Sequence, residues 1–103
     1  MNIKAEIKHI FQNKEPLKAT ADITLDDAVV IHDVWLLEKD KRTYITMPYK
    51  TWKNKAGEER GRDVVHPITS SARQQMQDAV VKAYERALQE HERQEEGREK
   101  NAS

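Results

Sequence analysis

The chain has 103 residues, which fits one domain, and it contains no cysteine, which excludes disulfide scaffolds, thiolate zinc sites and thiol nucleophiles. Its 18 basic and 18 acidic residues cancel, yet a charged fraction of 35% exceeds the usual value of about 25% and predicts solvated faces, a charged tail, or both. Because there is no apolar signal-peptide run and no stretch near the ~20 apolar residues that cross a bilayer, we expect a cytoplasmic protein without membrane contact.

Alternating strands are predicted for the first half of the chain. Residues 3–7 alternate in polarity, and the alternation slips near residues 10–11; residues 17–25 alternate without a break. After a turn at Asp26 and Asp27, the apolar run at residues 28–37 indicates a central strand partly covered on both faces. A charged turn and a short strand at residues 43–47 follow.

Residues 49–61 show little periodicity, and we interpret them as a long basic loop. Residues 63–66 are predicted to form one last short strand before Pro67. Together with the earlier strands, this gives four or five strands joined mostly by short turns, which is typical of an antiparallel meander.

The C-terminal third has the pattern of an amphipathic helix. Apolar residues recur at three- and four-residue spacing, namely Met76, Ala79, Val80, Ala83, Tyr84, Ala87 and Leu88. Ser71 followed by Gln74 fits a capping box. The apolar stripe fails from Glu90 onward, and Gly97 interrupts what remains. We therefore predict a domain over residues 1–89 and, over residues 90–103, a charged helix end that runs into a disordered tail.

The predicted fold class is α+β, with an antiparallel sheet of four to five strands followed by one long helix packed on it. One helix covers little of such a sheet. The edge strands and the remaining apolar surface therefore favour a homodimer.

Catalysis is a weak hypothesis for this sequence. Asp63, His66 and Ser70 or Ser71 are the residue types of a hydrolase triad. In a strand, however, positions three apart point to opposite faces, and the serines lie where a helix needs N-caps. The expectation is a protein that is not an enzyme and has no small-molecule substrate.

No cofactor or metal site is expected either. The histidines are scattered and lack the short spacing of zinc ligands; they are His9, His32, His66 and His91. The three glycines fit no nucleotide-binding motif.

Nucleic-acid binding has a better basis in the charge pattern. Residues 39–62 hold eight basic and three acidic residues, so they carry a net charge of +5. Within them, residues 49–55 interleave two aromatic rings with three lysines. The ammonium groups can neutralise phosphates, and an exposed Trp52 can stack on an unpaired base. The alternative is a solvated basic loop in which Trp52 packs against its own subunit or a partner.

Several segments together resemble the stage V sporulation protein G (SpoVG, septation regulator) family, over roughly residues 3 to 88. They comprise residues 21–26, residues 30–34, Met47-Pro48, residues 62–68, Arg73, residues 77–80 and Ala83-Tyr84. The resemblance implies a bacterial or mobile-element regulator that forms dimers, binds DNA and RNA site-selectively, and influences septation, sporulation and gene expression. It implies an antiparallel sheet with a packed helix.

The resemblance also implies nucleic-acid contacts by Lys50, Arg62 and Arg73. This chain departs from the family where Tyr49 and Thr51 replace the commoner serine and basic residue. Its loop is also a few residues longer and carries Trp52 and two extra lysines, and the preceding turn lacks the usual glycines.

The leading hypothesis is a dimeric nucleic-acid-binding regulator whose partners are DNA, RNA, or both. Its candidate binding residues are Lys50, Trp52, Lys53, Lys55, Arg60, Arg62 and Arg73. The alternative is a protein-interaction module that uses the sheet edge or the helix to hold another regulator, without binding nucleic acid. A salt titration separates the two, because counterion release makes phosphate binding fall steeply with salt.

Overall fold

The structure is a computed structural model that describes the backbone of residues 1–101 and the side chains of residues 1–92. Among the described residues, six strands precede one helix: β1 (Ile3–Ile10), β2 (Leu17–Leu25), β3 (Val29–Lys39), β4 (Arg42–Thr46), β5 (Tyr49–Lys53), β6 (Glu59–Asp63) and α1 (Ser70–Asn101). The predicted α+β class and the antiparallel sheet followed by a long helix are confirmed. Four strands form the main sheet, and the other two form a separate hairpin.

The main sheet is an antiparallel meander in the order β1-β2-β3-β4. Its tight turns use residues with positive φ: Asp26 and Asp27 between β2 and β3 (51° and 52°), and Asp40 and Lys41 between β3 and β4 (54° and 66°). Two consecutive left-handed residues match the twist of the flanking strands, as in type I′ hairpins. The predicted turns at both places are confirmed.

One face of this sheet forms the core with α1. Alternate residues of β2 and β3 point into it, and α1 packs chiefly against β1 while also touching β2 and β4. The buried apolar side chains are Ala19, Ala21, Ile23, Ile31, Val34, Leu36, Ile45, Met47, Met76 and Val80. At the side of α1, Gln77 donates a hydrogen bond to the Thr43 carbonyl oxygen at 3.1 Å.

The opposite face of β3 is uncovered, which corrects the prediction of a strand partly covered on both faces. Val30 and Trp35 are about half exposed there. A β-bulge sets the register, because the pairing of β2 with β3 shifts between Ala21 and Ile23. Asp33, at φ 61°, lies in this irregularity, so that both Ile31 and Val34 reach the core.

The interpretation of residues 49–61 as a loop is wrong, because these residues form most of the β5–β6 hairpin. The strand predicted at residues 63–66 is also misplaced, since β6 ends at Asp63. Every residue of β5 is exposed. With no face buried in the core, the hairpin has no hydrophobic alternation by which it could be recognised.

Thr69, rather than Ser71, caps the N-terminus of α1. The Thr69 hydroxyl accepts a hydrogen bond from the Ala72 amide at 3.0 Å, and the Thr69 carbonyl accepts one from the Arg73 amide at 3.1 Å. Ser71 already lies inside the helix, where its hydroxyl accepts a hydrogen bond from the Gln75 side chain. The predicted capping box is therefore wrong by two residues.

The helix continues beyond the last residue of its apolar stripe, to Asn101. The predicted tail at residues 90–103 falls mainly on residues whose side chains lie outside the described part, and residues 102–103 lie outside it altogether. The division at residue 90 stays a prediction. No helix within the described residues is long and apolar enough to cross a membrane.

Replacing Thr69 by alanine is expected to lower the free energy of unfolding by about 1 kcal/mol, because the first turn of α1 loses its side-chain acceptor. Ser71→Ala is the matched control and should change stability by much less. Urea unfolding followed by circular dichroism measures both variants. A larger loss for Ser71→Ala would identify Ser71 as the cap.

Candidate nucleic-acid interface

The β5–β6 hairpin is closed by a five-residue turn, whose geometry follows from Asn54 and Gly57. The Asn54 side-chain oxygen accepts hydrogen bonds from the amides of Ala56 (3.0 Å) and Glu58 (2.9 Å). Gly57 has a φ of 79°, a left-handed conformation that glycine adopts without steric strain. The arrangement is that of a hairpin turn ending in a left-handed glycine, so the sequence itself fixes the register of the two strands.

Register assigns each residue of the hairpin to one of two faces. Lys50 pairs with Arg62, and Trp52 pairs with Arg60. Opposite residues in an antiparallel pair, and residues two apart along a strand, lie on the same face. These four residues therefore form one face, which we call the basic face; it has three cations, one indole ring and no acidic residue.

Within the basic face, the Arg62 guanidinium carbon lies 5.8 Å from the centre of the Trp52 ring. This distance is that of a cation–π contact, which holds both side chains in position. Trp52 is still 43% exposed. Its ring thus packs on Arg62 of its own chain while nearly half of its surface stays exposed, and the stacking of Trp52 on a base stays a prediction.

Arg60 forms an ion pair with Glu58, whose carboxylate lies 3.3 Å from the Arg60 guanidinium. Both side chains are more than half exposed. An exposed ion pair of this kind contributes little, so Arg60 remains able to exchange Glu58 for a phosphate.

The other face of the hairpin differs in chemistry. Lys53 pairs with Glu59 and Tyr49 pairs with Asp63, so this face carries one cation and two carboxylates. Tyr49 lies over Gly61, where an added Cβ atom would collide with the phenol ring. The sequence analysis missed this division because it placed residues 49–61 in one loop and Asp63 in a separate strand.

The seven predicted binding residues are therefore only partly brought together. Lys50, Trp52, Arg60 and Arg62 share the basic face, whereas Lys53 lies on the opposite face. Lys55 lies in the turn, and Arg73 lies on the first turn of α1. All seven are exposed.

The residue types of a hydrolase triad are present near the end of the hairpin. Asp63 ends β6, and Ser70 and Ser71 begin α1. The Nδ1 atom of His66 lies 3.2 Å from the carbonyl oxygen of the adjacent Pro67. No hydrogen bond between Asp63 and His66 occurs among the described side chains, and these hold no cluster of three potential metal ligands.

The hairpin projects from the main sheet. Its extensive contacts are those between β5 and β6 themselves. At its base, where the hairpin joins the rest of the chain, the Val64 amide donates a hydrogen bond to the Pro48 carbonyl at 2.8 Å. A charged two-stranded ribbon that stands apart from the core is a common means of contacting a nucleic-acid groove. Fold and charge distribution together define a small α+β protein with a projecting basic hairpin.

Comparison with known proteins identifies the family. Residues 1–86 match the family SpoVG, and the chain belongs to that family. Over 68 residues it is 41% identical to a protein of Finegoldia magna, and over 69 residues 45% identical to one of Staphylococcus carnosus and 44% identical to one of Desulforudis audaxviator; each carries the name septation protein SpoVG.

The matched segments cover 66–67% of this chain. They span 59% of the Finegoldia protein, 61% of the Staphylococcus protein and 74% of the Desulforudis protein. The chain thus matches less than two thirds of the length of the first two relatives. The resemblance noted from the sequence is confirmed.

Proposed function

We propose that this chain is a nucleic-acid-binding regulatory protein, which contacts DNA or RNA through the basic face of its hairpin and takes part in septation or sporulation. The observation that carries the proposal is the placement of Lys50, Arg60 and Arg62 around Trp52 on one exposed face. Three cations on one face can contact neighbouring phosphates, and an exposed indole can stack on an unpaired base. The septation role rests on the names of the relatives.

The shape of the hairpin favours duplex DNA over duplex RNA. The major groove of B-form DNA admits a two-stranded ribbon, whereas the deep, narrow major groove of A-form RNA does not. The unpaired bases of a single strand can still stack on the exposed Trp52. Binding of single-stranded and duplex DNA with weaker binding of duplex RNA is the expected order.

The test is a salt titration of binding to fluorescein-labelled duplex DNA, single-stranded DNA and duplex RNA, followed by anisotropy. If three cations of each chain contact phosphates, the logarithm of the binding constant for duplex DNA should fall with the logarithm of salt with a slope near −2.7 per chain. Salt-independent binding, or no binding at low salt, would contradict the proposal.

We propose that two chains act together. The strands β1 and β4 are the edges of the main sheet, with backbone groups free to pair, and one helix covers only one face of that sheet. Two basic faces in one particle would bind one nucleic acid with increased avidity. Light scattering over a dilution series should give about twice the chain mass of 12.0 kDa; a folded monomer at tens of micromolar would refute the dimer.

Trp52→Ala is expected to weaken binding to single-stranded DNA by about 1–3 kcal/mol, because the base loses its stacking partner, and to weaken duplex binding less. The emission of Trp52 can be followed alone in a Trp35→Phe background. Saturating single-stranded DNA should change that emission. An emission that is blue-shifted without ligand and unmoved by DNA would assign Trp52 a purely structural role.

A further inference from the structure

A concave surface lies between the uncovered face of the main sheet and the base of the hairpin. Asp33 and Trp35 of β3 line one wall, Tyr49 and Asp63 line the other, and Met47 lies between them. The cleft has a volume of about 740 Å³, within the range of sites that hold ligands. We name it the acidic cleft.

Two aromatic rings are exposed in the acidic cleft. Trp35 is 48% exposed and Tyr49 is 62% exposed, although both are large and partly apolar. Trp35 lies on the face of β3 that α1 does not cover, and the strand register places Tyr49 on the hairpin face opposite to the basic face. Exposed aromatic rings that converge on one concavity are typical of binding sites.

The carboxylates of the cleft are those of Asp33 and Asp63. Among the described side chains, the ion pairs involve neither Asp33 nor Asp63. Asp33 is held at φ 61° by the β-bulge, a left-handed conformation that aspartate adopts more readily than most residues other than glycine. The bulge that contains Asp33 thus lies at the rim of the cleft.

We propose that the acidic cleft binds an arginine-bearing peptide segment of a partner protein. A guanidinium stacks on aromatic rings and donates hydrogen bonds to carboxylates at its edges, and Trp35 and Tyr49 with Asp33 and Asp63 supply both kinds of partner. An apolar neighbour of the arginine would contact Met47 and the aromatic faces. Nucleic acid is a poor occupant, because its phosphates would meet two carboxylates.

This site lies on the side of the hairpin opposite to the basic face. The two sites differ in charge and share no residue, so a chain can hold a nucleic acid and a peptide at the same time.

The experiment uses the full chain with Trp52→Phe, so that Trp35 alone reports on the cleft. The probe is an acetylated, amidated pentapeptide, Gly-Leu-Arg-Leu-Gly; the control peptide has uncharged citrulline in place of arginine. The arginine peptide should change Trp35 emission saturably, and citrulline should bind at least tenfold more weakly. Asp33→Asn and Asp63→Asn should each weaken binding by about tenfold, since a charged hydrogen bond is lost.

Asparagine tolerates a positive φ and keeps the size of aspartate, so both variants should fold. Glu59→Gln removes a carboxylate from the same hairpin outside the cleft and should leave peptide binding unchanged. Equal binding of both peptides, no saturable signal, or equal effects of all three substitutions would overturn the proposal. Quenching of Trp35 by single-stranded DNA that competes with the peptide would also overturn it, because the occupant would then be a base. A particle mass that halves on Asp33→Asn would do the same, because the occupant would then be a second copy of the chain.

Discussion

Replacing Lys50, Arg60 and Arg62 together by alanine is expected to remove most of the salt dependence of DNA binding. Each phosphate contact contributes about 0.9 to the slope, so the loss of three reduces the decline in affinity between roughly 50 and 200 mM salt by about 40-fold per chain. Binding should weaken alike for all base sequences, because phosphate contacts carry no base information. Anisotropy with two unrelated duplexes measures both effects.

The matched control replaces Lys39, Lys53 and Lys55, three exposed lysines outside the basic face. It changes the net charge of the chain by the same amount. If binding depends on the basic face, this variant should retain most of the affinity and most of the slope. An equal loss in both variants would show that the total charge of the chain, rather than this face, governs binding.

The largest expected effect on stability belongs to Leu36→Ala. Leu36 is fully buried in the core on β3, so the substitution leaves a cavity and is expected to lower the free energy of unfolding by about 2–5 kcal/mol. That is a large part of the 5–15 kcal/mol typical of a domain. The midpoint of urea unfolding should fall, with little change in the slope of the transition.

Val30→Ala serves as the control, because Val30 lies on the same strand and is about half exposed. It removes less buried surface and should lower stability by well under half as much. Both proteins are compared at one concentration, since a dimer would add a concentration-dependent contribution. Similar losses for the two variants would show that the outer face of β3 is as tightly covered as the core.

The strands of the main sheet could be predicted because burial of one face makes apolar and polar residues alternate along them. β2 buries Ala19, Ala21 and Ile23 at a strict two-residue period, and α1 buries Met76 and Val80 at four-residue spacing. β3 was harder to interpret, since its bulge breaks the alternation. The run of apolar residues in β3 therefore predicted a strand covered on both faces, although one face is exposed.

The hairpin was not predicted because both of its faces are exposed to solvent, so its sequence lacks a hydrophobic alternation. Its remaining signals were the β-favouring residues Tyr49, Thr51 and Trp52, and the turn at Asn54 and Gly57. Composition alone identified the right segment as basic. Only the register separates Lys53 from Lys50 and reveals that one face is basic and the other is acidic and aromatic.

The hairpin's attachment through Pro48 and Val64 makes its length independent of the core. Two residues added to each strand would extend it by about 7 Å, close to the rise of two base pairs, without moving a buried side chain. The turn from Asn54 to Glu58 is the natural place for such insertions, because exposed tips tolerate them best. A change in the length of the hairpin can therefore alter how far the basic face extends from the main sheet, while the scaffold that positions it stays the same.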